Sequence, residues 1–251
     1  MSYLTLERLQ IRFGEQIAVH DLSLSAARGE FLTLLGPSGC GKTTTLRAIA
    51  GFAEPSAGQV RVNGENITAL PPHKRNIGMV FQSYALLPWL TVEDNVAFAA
   101  RMQGWPKAKV EEICETYLAM VHLREFARRY PRELSGGQRQ RVGLARALAI
   151  EPDILLMDEP FSALDPIITD ELHDEVLRIW GETGKTIVLV SHHFEEAVLL
   201  ADRVGIIRQG RLEQVVPIDL ARPRHDEDPA FIAETHRLRG YLAPKAEAEA
   251  P

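Results

Sequence analysis

The stretch FLTLLGPSGCGKTTTLRAIAG, residues 31–51, decides the fold. A compact apolar run opens it, a glycine-rich segment follows, and Leu46 and Ile49 then take helical spacing up to Gly51. This order predicts a buried strand, a loop and a helix. The segment Gly36 to Thr43 satisfies the pattern G-x-x-x-x-G-K-S/T. Because glycines let backbone N–H groups converge on phosphate oxygens, the loop predicts a site for a nucleoside triphosphate.

Two side chains of this loop carry the chemistry that a bound triphosphate requires. Lys42 is placed to bridge the outer phosphates, and the Thr43 hydroxyl can ligate Mg²⁺. A glycine-rich turn without a ligand is the alternative, but the position between a strand and a helix favours a phosphate loop. The ATP-binding residues predicted here are Gly36, Pro37, Ser38, Gly39, Cys40, Gly41, Lys42, Thr43 and Thr44.

Short apolar runs predict further strands of the same sheet. Continuous runs without alternation are typical of strands buried on both faces of a mainly parallel sheet. Helical stretches separate most of them, as in an α/β fold. The runs lie at residues 77–81, 154–158, 186–190 and 204–207.

Other patterns predict two additions to this core. Alternating apolar residues from Leu4 to Leu24 predict an antiparallel strand pair, and an Asn-Gly turn within residues 58–67 predicts a hairpin that extends it. Helical spacing predicts a helical subdomain at about residues 83–133. We expect residues 1–242 to form a single domain and the Ala-, Glu- and Pro-rich residues 243–251 to form a disordered tail.

The composition excludes several classes of protein. With 251 residues, 45% hydrophobic and 25% charged, the chain is typical of globular rather than disordered or collagen-like proteins. A net charge of −6 argues against nucleic acid as a partner. No apolar run reaches the roughly 18 residues of a membrane span, and no signal-peptide pattern is present, so we expect a cytoplasmic protein. Cys40 and Cys114 lack metal-site spacing and are expected to be free thiols.

Two adjacent carboxylates follow a second predicted strand, in ILLMDEP at residues 154–160. Asp158 and Glu159 stand at its carboxyl end, where open α/β sheets place their ligands. Asp158 can hold Mg²⁺ through its water shell, and Glu159 can orient or deprotonate an attacking water. A simple strand-ending turn is the alternative, and the phosphate loop upstream favours the catalytic interpretation.

The segment LSGGQ at residues 134–138, followed by RQRVGLARALA, resembles the signature helix of ATP-binding cassette (ABC) ATPases. A serine and two glycines at a helix start offer a second set of exposed N–H groups to an anion. The resemblance implies a head-to-tail homodimer, with two ATP molecules held between the phosphate loop of one chain and the signature of the other. An ordinary helix N-cap is the alternative. The implied signature residues are Ser135, Gly136, Gly137 and Gln138.

The resemblance extends from about Leu4 to Gly210 and implies the ABC ATPase fold. That fold is a P-loop NTPase with a mainly parallel core sheet, an N-terminal antiparallel β-subdomain and a helical insertion. Gln82 is similar to the glutamine that contacts Mg²⁺ and water, Phe13 to the aromatic that stacks on adenine, and Asp165 to a residue of the dimer-interface loop. A strand-end amide, a core phenylalanine and a helix cap are the respective alternatives.

His192, in IVLVSHHFEEA, resembles the switch histidine that contacts the γ-phosphate and steadies the water and Glu159. A solvated loop histidine is the alternative. His193 departs from the family pattern, which commonly has an acidic residue there, and its effect is open. The resemblance implies Glu159, His192, Gln82 and Lys42 as catalytic residues and Thr43, Gln82 and Asp158 as Mg²⁺ ligands, partly through water.

Residues 71–98 and 176–197 resemble ATPase subunits of bacterial importers, most closely the nitrate, sulfonate and taurine group; the polyamine and ferric-ion group shares the first segment. The implied function is ATP hydrolysis that powers import of a small organic anion, with a polyamine or ferric-ion importer as the alternative. The protein would lie peripherally on the inner face of the membrane. Leu86–Trp89 look exposed and are expected to contact the permease, with packing inside the insertion as the alternative. A solute-binding protein would be an indirect partner.

Three other functions compete with import. An exporter ATPase subunit would have nearly the same chemistry. A soluble ABC ATPase that acts on DNA or ribosomes would favour long heptad arms, a second cassette or a basic surface, and the chain shows none of these. A small-molecule kinase would share the phosphate loop but lack LSGGQ.

Overall fold

The structure, a computed structural model, describes residues 2–242; the predicted tail at 243–251 lies outside them. Its strands are β1 (Ser2–Phe13), β2 (Gln16–Ala27), β3 (Phe31–Leu35), β4 (Ala57–Val62), β5 (Glu65–Asn66), β6 (Ile77–Val80), β7 (Ile154–Asp158), β8 (Thr186–Ser191), β9 (Arg203–Arg208) and β10 (Arg211–Pro217). Its α-helices are α1 (Lys42–Ala50), α2 (Val92–Met102), α3 (Lys107–Met120), α4 (Gly136–Leu148), α5 (Pro166–Thr183), α6 (Phe194–Leu200) and α7 (Pro229–Leu242).

A six-stranded sheet in the order β10-β9-β3-β8-β7-β6 forms the centre of the fold. Its strands are parallel except β10, which pairs antiparallel with β9. Every residue of β3, β7 and β8 is buried, as expected for apolar runs covered on both faces. The predicted mainly parallel core sheet is confirmed.

The register of this sheet decides where the functional loops meet. Leu35 at the end of β3 pairs with Ser191, and Asp158 at the end of β7 pairs with Val190. The residues that follow β3, β7 and β8 therefore leave the sheet side by side at one edge. This edge is the place where parallel sheets bind their ligands.

A second sheet, of order β2-β1-β4-β5, is antiparallel throughout. It confirms the N-terminal strand pair and the hairpin that extends it. Leu9, Ile11, Val19 and Leu22 pack from this sheet into the same core cluster as the α1 residues Leu46 and Ile49. The small sheet thus covers the helix that follows the phosphate loop.

Helices α2 and α3 occupy the segment for which the sequence predicts a helical subdomain, and they pack on each other and on α4. Thr91 caps α2 by accepting a hydrogen bond from the Asp94 backbone N–H, and Pro106 precedes the first turn of α3. None of the helices within residues 2–242 combines the length and the apolar character needed to cross a bilayer.

Candidate functional site

A cavity of about 410 Å³ opens at the ligand-binding edge of the central sheet, around the predicted phosphate loop. Gly41 precedes α1 with φ 100°, and a Cβ there would lie 2.6 Å from the Ala18 carbonyl oxygen, so only glycine fits. No side chain caps the N-terminus of α1, which leaves its first N–H groups available to an anion. The cavity is lined by Gln16, Ile17, Ala18, His20, Ser38, Gly39, Gly41, Lys42, Thr43, Thr44, Glu159, Gln209 and Gly210.

Lys42 places a buried positive charge at this cavity. Its side chain donates to the carbonyl oxygens of Gly36, at 2.7 Å, and Pro37, at 3.0 Å, and the residue is only 4% exposed. Among residues 2–242 no carboxylate pairs with its ammonium group, and buried charges are ordinarily paired. The loop therefore carries an uncompensated cation that an anionic ligand would neutralise.

Thr43 and Asp158 form the part of the site that fits Mg²⁺. The Thr43 hydroxyl donates to Asp158 Oδ1 at 2.7 Å, although the two residues lie on different elements. Burial raises the pKa of Asp158, while the Thr43 hydrogen bond opposes that rise. A hydroxyl and a carboxylate beside a phosphate loop are the oxygen donors that Mg²⁺ prefers. No cluster of three His, Cys, Asp or Glu side chains suited to a metal occurs in the described part of the chain.

Glu159 and His192 lie in contact. His192 Nδ1 is 3.3 Å from Glu159 Oε2, and Glu159 lines the cavity. The Glu159 backbone has φ 44°, a region that non-glycine residues rarely adopt, and its N–H donates to the Val190 carbonyl at 3.1 Å. The ring of His193 packs against His192 with 4.0 Å between centroids. The neighbouring ends of β7 and β8 thus bring a carboxylate and an imidazole together beside the phosphate loop.

Gln82 reaches this constellation indirectly. Its side-chain amide donates to Ser162 Oγ at 3.1 Å, and Ser162 Oγ donates to the Glu159 carbonyl at 3.0 Å. Gln82 is exposed and does not line the cavity. It is therefore connected to the Glu159 loop from outside.

The LSGGQ segment is folded as a helix start but stands apart from the cavity. Ser135 Oγ accepts from the Gln138 N–H, and Gln138 Oε1 accepts from the Ser135 N–H, which is a capping box at the start of α4. Asp165 caps α5 in the same way, by accepting from the Ile168 N–H. A Cβ at Gly137 would meet the Ile168 side chain at 2.5 Å, so α4 and α5 approach closely. Neither cap lines the cavity of its own chain.

Other residues around the cavity depart from expectation. Phe13 is 59% exposed at the end of β1 and does not line the cavity; the core-phenylalanine alternative is wrong. The sequence does not predict that the cavity is also lined by Gln16–Ala18, His20 and the β9–β10 turn at Gln209 and Gly210. Backbone bonds tie these segments together: His20 N–H donates to the Gly210 carbonyl and Gly210 N–H to the Cys40 carbonyl. No local pattern marks them, because only tertiary packing brings them to the loop.

An apolar groove of about 370 Å³ lies beside the segment that follows Gln82. Trp89 is 70% exposed near its end, so the alternative of packing inside the insertion is wrong for this residue. Leu87 lines the groove, whereas Leu86 is partly buried against the core. Large exposed apolar side chains of this kind mark contact surfaces. The groove is lined by Ala50, Phe52, Pro72, Ile77, Gly78, Met79, Phe81, Ala85, Leu87, Phe98, Ala99, Arg146, Ala147 and Ile150.

Comparison with known proteins identifies the family. The ABC transporter family profile matches residues 19–162. The chain is 48% identical over 238 residues to a spermidine/putrescine import ATP-binding protein, PotA, of Lawsonia intracellularis, covering 92% of this chain and 63% of that one. It is 47% identical over 246 residues to the putrescine transport ATP-binding protein PotG of Escherichia coli, covering 97% and 65%. The chain thus spans less than two thirds of the length of these relatives.

Solved structures agree with the fold. A dimeric ATP-binding cassette, MJ0796, in a post-hydrolysis state bound to ADP and Pi superposes with a TM-score of 0.77 at 31% identity, covering 87% of this chain and 100% of that one. CbiO1 of Clostridium perfringens, part of the ABC transporter complex cbiONQ, gives a TM-score of 0.81 at 26% identity, covering 96% and 94%. The predicted ABC ATPase fold is confirmed.

One expectation from the sequence is wrong. The relatives are named for polyamines, which contradicts the prediction of an importer for nitrate, sulfonate, taurine or a similar organic anion. The segment 71–98 resembles both importer groups and therefore does not separate them. What the profile, the relatives and the superposed structures have in common is the ATP-binding cassette itself. The chain belongs to the ABC transporter family.

Proposed function

We propose that this chain binds and hydrolyses ATP with Mg²⁺ to power a transporter. The observation that carries the proposal is Lys42, a buried ammonium whose hydrogen-bond partners within residues 2–242 are all neutral, set at an uncapped helix N-terminus. A triphosphate supplies the missing negative charge. The cassette that superposes on this chain holds ADP and Pi, the products of this reaction.

The residues of the site have separate tasks in this proposal. Thr43 and Asp158 hold Mg²⁺, which neutralises phosphate charge when bound. Glu159 accepts the proton of the attacking water, and His192, in contact with it at 3.3 Å, keeps that carboxylate oriented toward the γ-phosphate. Gln82 would contact Mg²⁺ and the attacking water; in this structure its amide donates to Ser162 from outside the cavity. Phe13 stacks on adenine.

The active form in this proposal is a homodimer. Ser135 and the N–H groups of α4 form an anion site that its own chain does not use, because they stand outside the cavity. A second chain packed head to tail would bring them to the γ-phosphate, with Asp165 at the interface. Each γ-phosphate then joins two chains, so ATP favours the closed dimer and hydrolysis releases it.

The apolar groove is the surface proposed for the permease. Phe52 and Phe98 line it with more than a third of each side chain exposed, and Trp89 stands beside it. An apolar helix from a membrane subunit would cover these rings and hold the chain peripherally at the inner membrane face. A solute-binding protein would act through that permease. The superposed CbiO1 is itself part of a transporter complex.

The proposed cargo is a polyamine, because relatives at 46–48% identity are named spermidine/putrescine or putrescine transporters. A strain that lacks the gene would lose uptake of labelled putrescine or spermidine and regain it with the wild-type gene. Unchanged uptake of both would exclude a polyamine importer. Ferric-ion uptake, measured in the same strains, tests the second importer class.

Phosphate release tests the enzymatic part of the proposal. The purified chain with ATP and Mg²⁺ releases phosphate, and Glu159→Gln lowers kcat by about 10²- to 10⁴-fold while it still binds ATP. Glu195→Gln, which changes an exposed carboxylate on α6, is the matched control and retains the wild-type rate. Hydrolysis by Glu159→Gln at the wild-type rate would rule out the general-base role.

A further inference from the structure

The segment that follows Gln82 has a strained backbone. Tyr84 has φ 62° and Ala85 has φ 49°, so two consecutive residues other than glycine adopt the left-handed conformation. Each such residue costs on the order of 1–3 kcal/mol and persists only where its surroundings hold it. Something outside the segment must therefore stabilise this shape.

Arg146 on α4 supplies that stabilisation. Its Nη1 donates to the Ala85 carbonyl at 2.5 Å and its Nη2 to the Tyr84 carbonyl at 3.0 Å. The left-handed turn points both carbonyls at one guanidinium, whose planar fork matches two acceptors at once. These contacts join residues 61 and 62 positions apart in the chain.

Tyr84 itself lies along α4. A Cβ built on Gly143 would be 3.6 Å from its carbonyl oxygen, and one built on Gly136 would be 3.6 Å from its hydroxyl. The Arg139 guanidinium lies 5.4 Å from the centre of its ring. Tyr84 thus follows the helix from its middle to its first turn, where the LSGGQ segment begins.

Arg146 has no acidic partner. Within residues 2–242 its hydrogen bonds go to these two carbonyls, and no carboxylate forms an ion pair with it. Burial lowers its pKa, but guanidinium groups remain protonated in proteins. A partly buried cation with two backbone acceptors holds those acceptors strongly, since hydrogen bonds to charged groups are about twice as strong as neutral ones.

We propose that Arg146 is a positioning residue that fixes Gln82 relative to α4. The chain runs from Gln82 through Ser83 directly into the two residues that Arg146 holds, so the guanidinium anchors the backbone on which the Gln82 amide depends. The anchor keeps that amide on Ser162, and through it on the Glu159 loop. This inference rests on the proposed ATP hydrolysis and adds a residue that touches neither nucleotide nor metal.

A double-mutant cycle with Gln82 tests the inference. Arg146→Met lowers kcat by about ten- to a hundredfold, the cost of misplacing a catalytic group, and leaves KM for ATP unchanged because the phosphate loop is intact. Arg146→Lys gives an intermediate kcat, since an ammonium cannot serve both carbonyls as the fork does. In a Gln82→Ala background, Arg146→Met causes no further loss. Arg101→Met, at an exposed ion pair with Asp94 on α2, is the matched control and leaves kcat unchanged.

The outcomes separate the inference from the proposed function. Absence of hydrolysis by the wild-type chain overturns the proposed function. Wild-type hydrolysis with independent, multiplicative losses from Gln82→Ala and Arg146→Met overturns the inference alone, because a purely structural role would persist without Gln82. If Arg146→Met does not fold, Arg146→Lys with an unchanged Tm carries the test, and a wild-type kcat in that variant overturns the inference.

Discussion

Replacing Thr43 with valine tests the link between the phosphate loop and the carboxylate of β7. The substitution keeps the shape of the side chain and removes the hydroxyl that donates to Asp158 at 2.7 Å. Asp158 is 5% exposed, so its carboxylate loses a partner that water cannot replace. A hydrogen bond to a charged group contributes about 1.5–3 kcal/mol. For a chain of this size, each 1 kcal/mol corresponds to roughly 2–4 °C in Tm, so we expect a fall of about 3–12 °C.

The loss depends on pH in a predictable direction. Burial already raises the pKa of Asp158 above its usual 3.8, and removal of the Thr43 hydrogen bond raises it further. Between the unfolded and folded pKa values the native state keeps a proton that the unfolded chain has released, so stability falls as the pH rises. The pH interval between these two pKa values of Asp158 is wider in Thr43→Val than in the wild type. The difference in Tm between wild type and Thr43→Val is therefore largest at neutral pH and smallest near pH 3.8.

Thermal unfolding of the chain without nucleotide or Mg²⁺, followed by circular dichroism from acid to neutral pH, measures this difference. Thr44→Val is the matched control, because the neighbouring hydroxyl forms no hydrogen bond within residues 2–242. Thr43→Ser keeps the hydroxyl and most of the stability. Equal losses of Tm in Thr43→Val and Thr44→Val, or a loss that does not change with pH, would refute the reasoning.

Three further predictions concern His192, Arg75 and the apolar groove. His192→Ala removes the contact that orients Glu159, and we expect phosphate-release assays to show a kcat about ten- to a hundredfold lower at unchanged KM; an unchanged kcat would remove His192 from the mechanism. Arg75→Met deletes four hydrogen bonds to backbone carbonyls, two of them in the last turn of α1. We expect it to lower the free energy of unfolding, measured in urea, by about 3 kcal/mol. A change near zero would mean that these hydrogen bonds contribute little. Phe98→Glu puts a charge into the apolar groove and abolishes co-purification with the permease while ATP hydrolysis continues; undiminished co-purification would place the permease elsewhere.

The sequence could predict the elements whose signals are local. The run from Phe31 to Leu35 is buried throughout, and the glycines that follow it satisfy a backbone requirement that can be read from spacing alone. Asp158 and His192 were predictable for a related reason. Asp158 ends one fully buried strand and His192 directly follows another, and the ends of parallel strands meet at one edge.

The C-terminal elements escaped prediction because their burial is sparse. In β10, an edge strand, Val216 is the buried residue, which leaves no apolar alternation to read. In α7 the buried stripe consists of Phe231, Thr235 and Leu238, too narrow to separate from a loop in sequence. Both nevertheless matter, since β10 extends the sheet and α7 packs on α6, the helix that follows the two histidines.

Contacts that depend on tertiary structure likewise could not be predicted from the sequence. Nothing in the spacing of Tyr84 and Arg146 indicates that a left-handed turn would direct two carbonyls at one guanidinium. The cargo was mispredicted because, in the proposed function, the segments that resemble the importer groups contact phosphate, the partner chain and the permease. None of them contacts the transported molecule in the proposed function.

Sedimentation of the Glu159→Gln chain with ATP tests the shared-nucleotide dimer most directly. We predict a dimer with ATP, a monomer with ADP, and a monomer with ATP when Ser135→Arg is added, at undiminished affinity of each chain for ATP. A chain that stays monomeric with ATP bound, or a dimer that forms equally well with Ser135→Arg, would contradict the claim that LSGGQ completes the site of a partner.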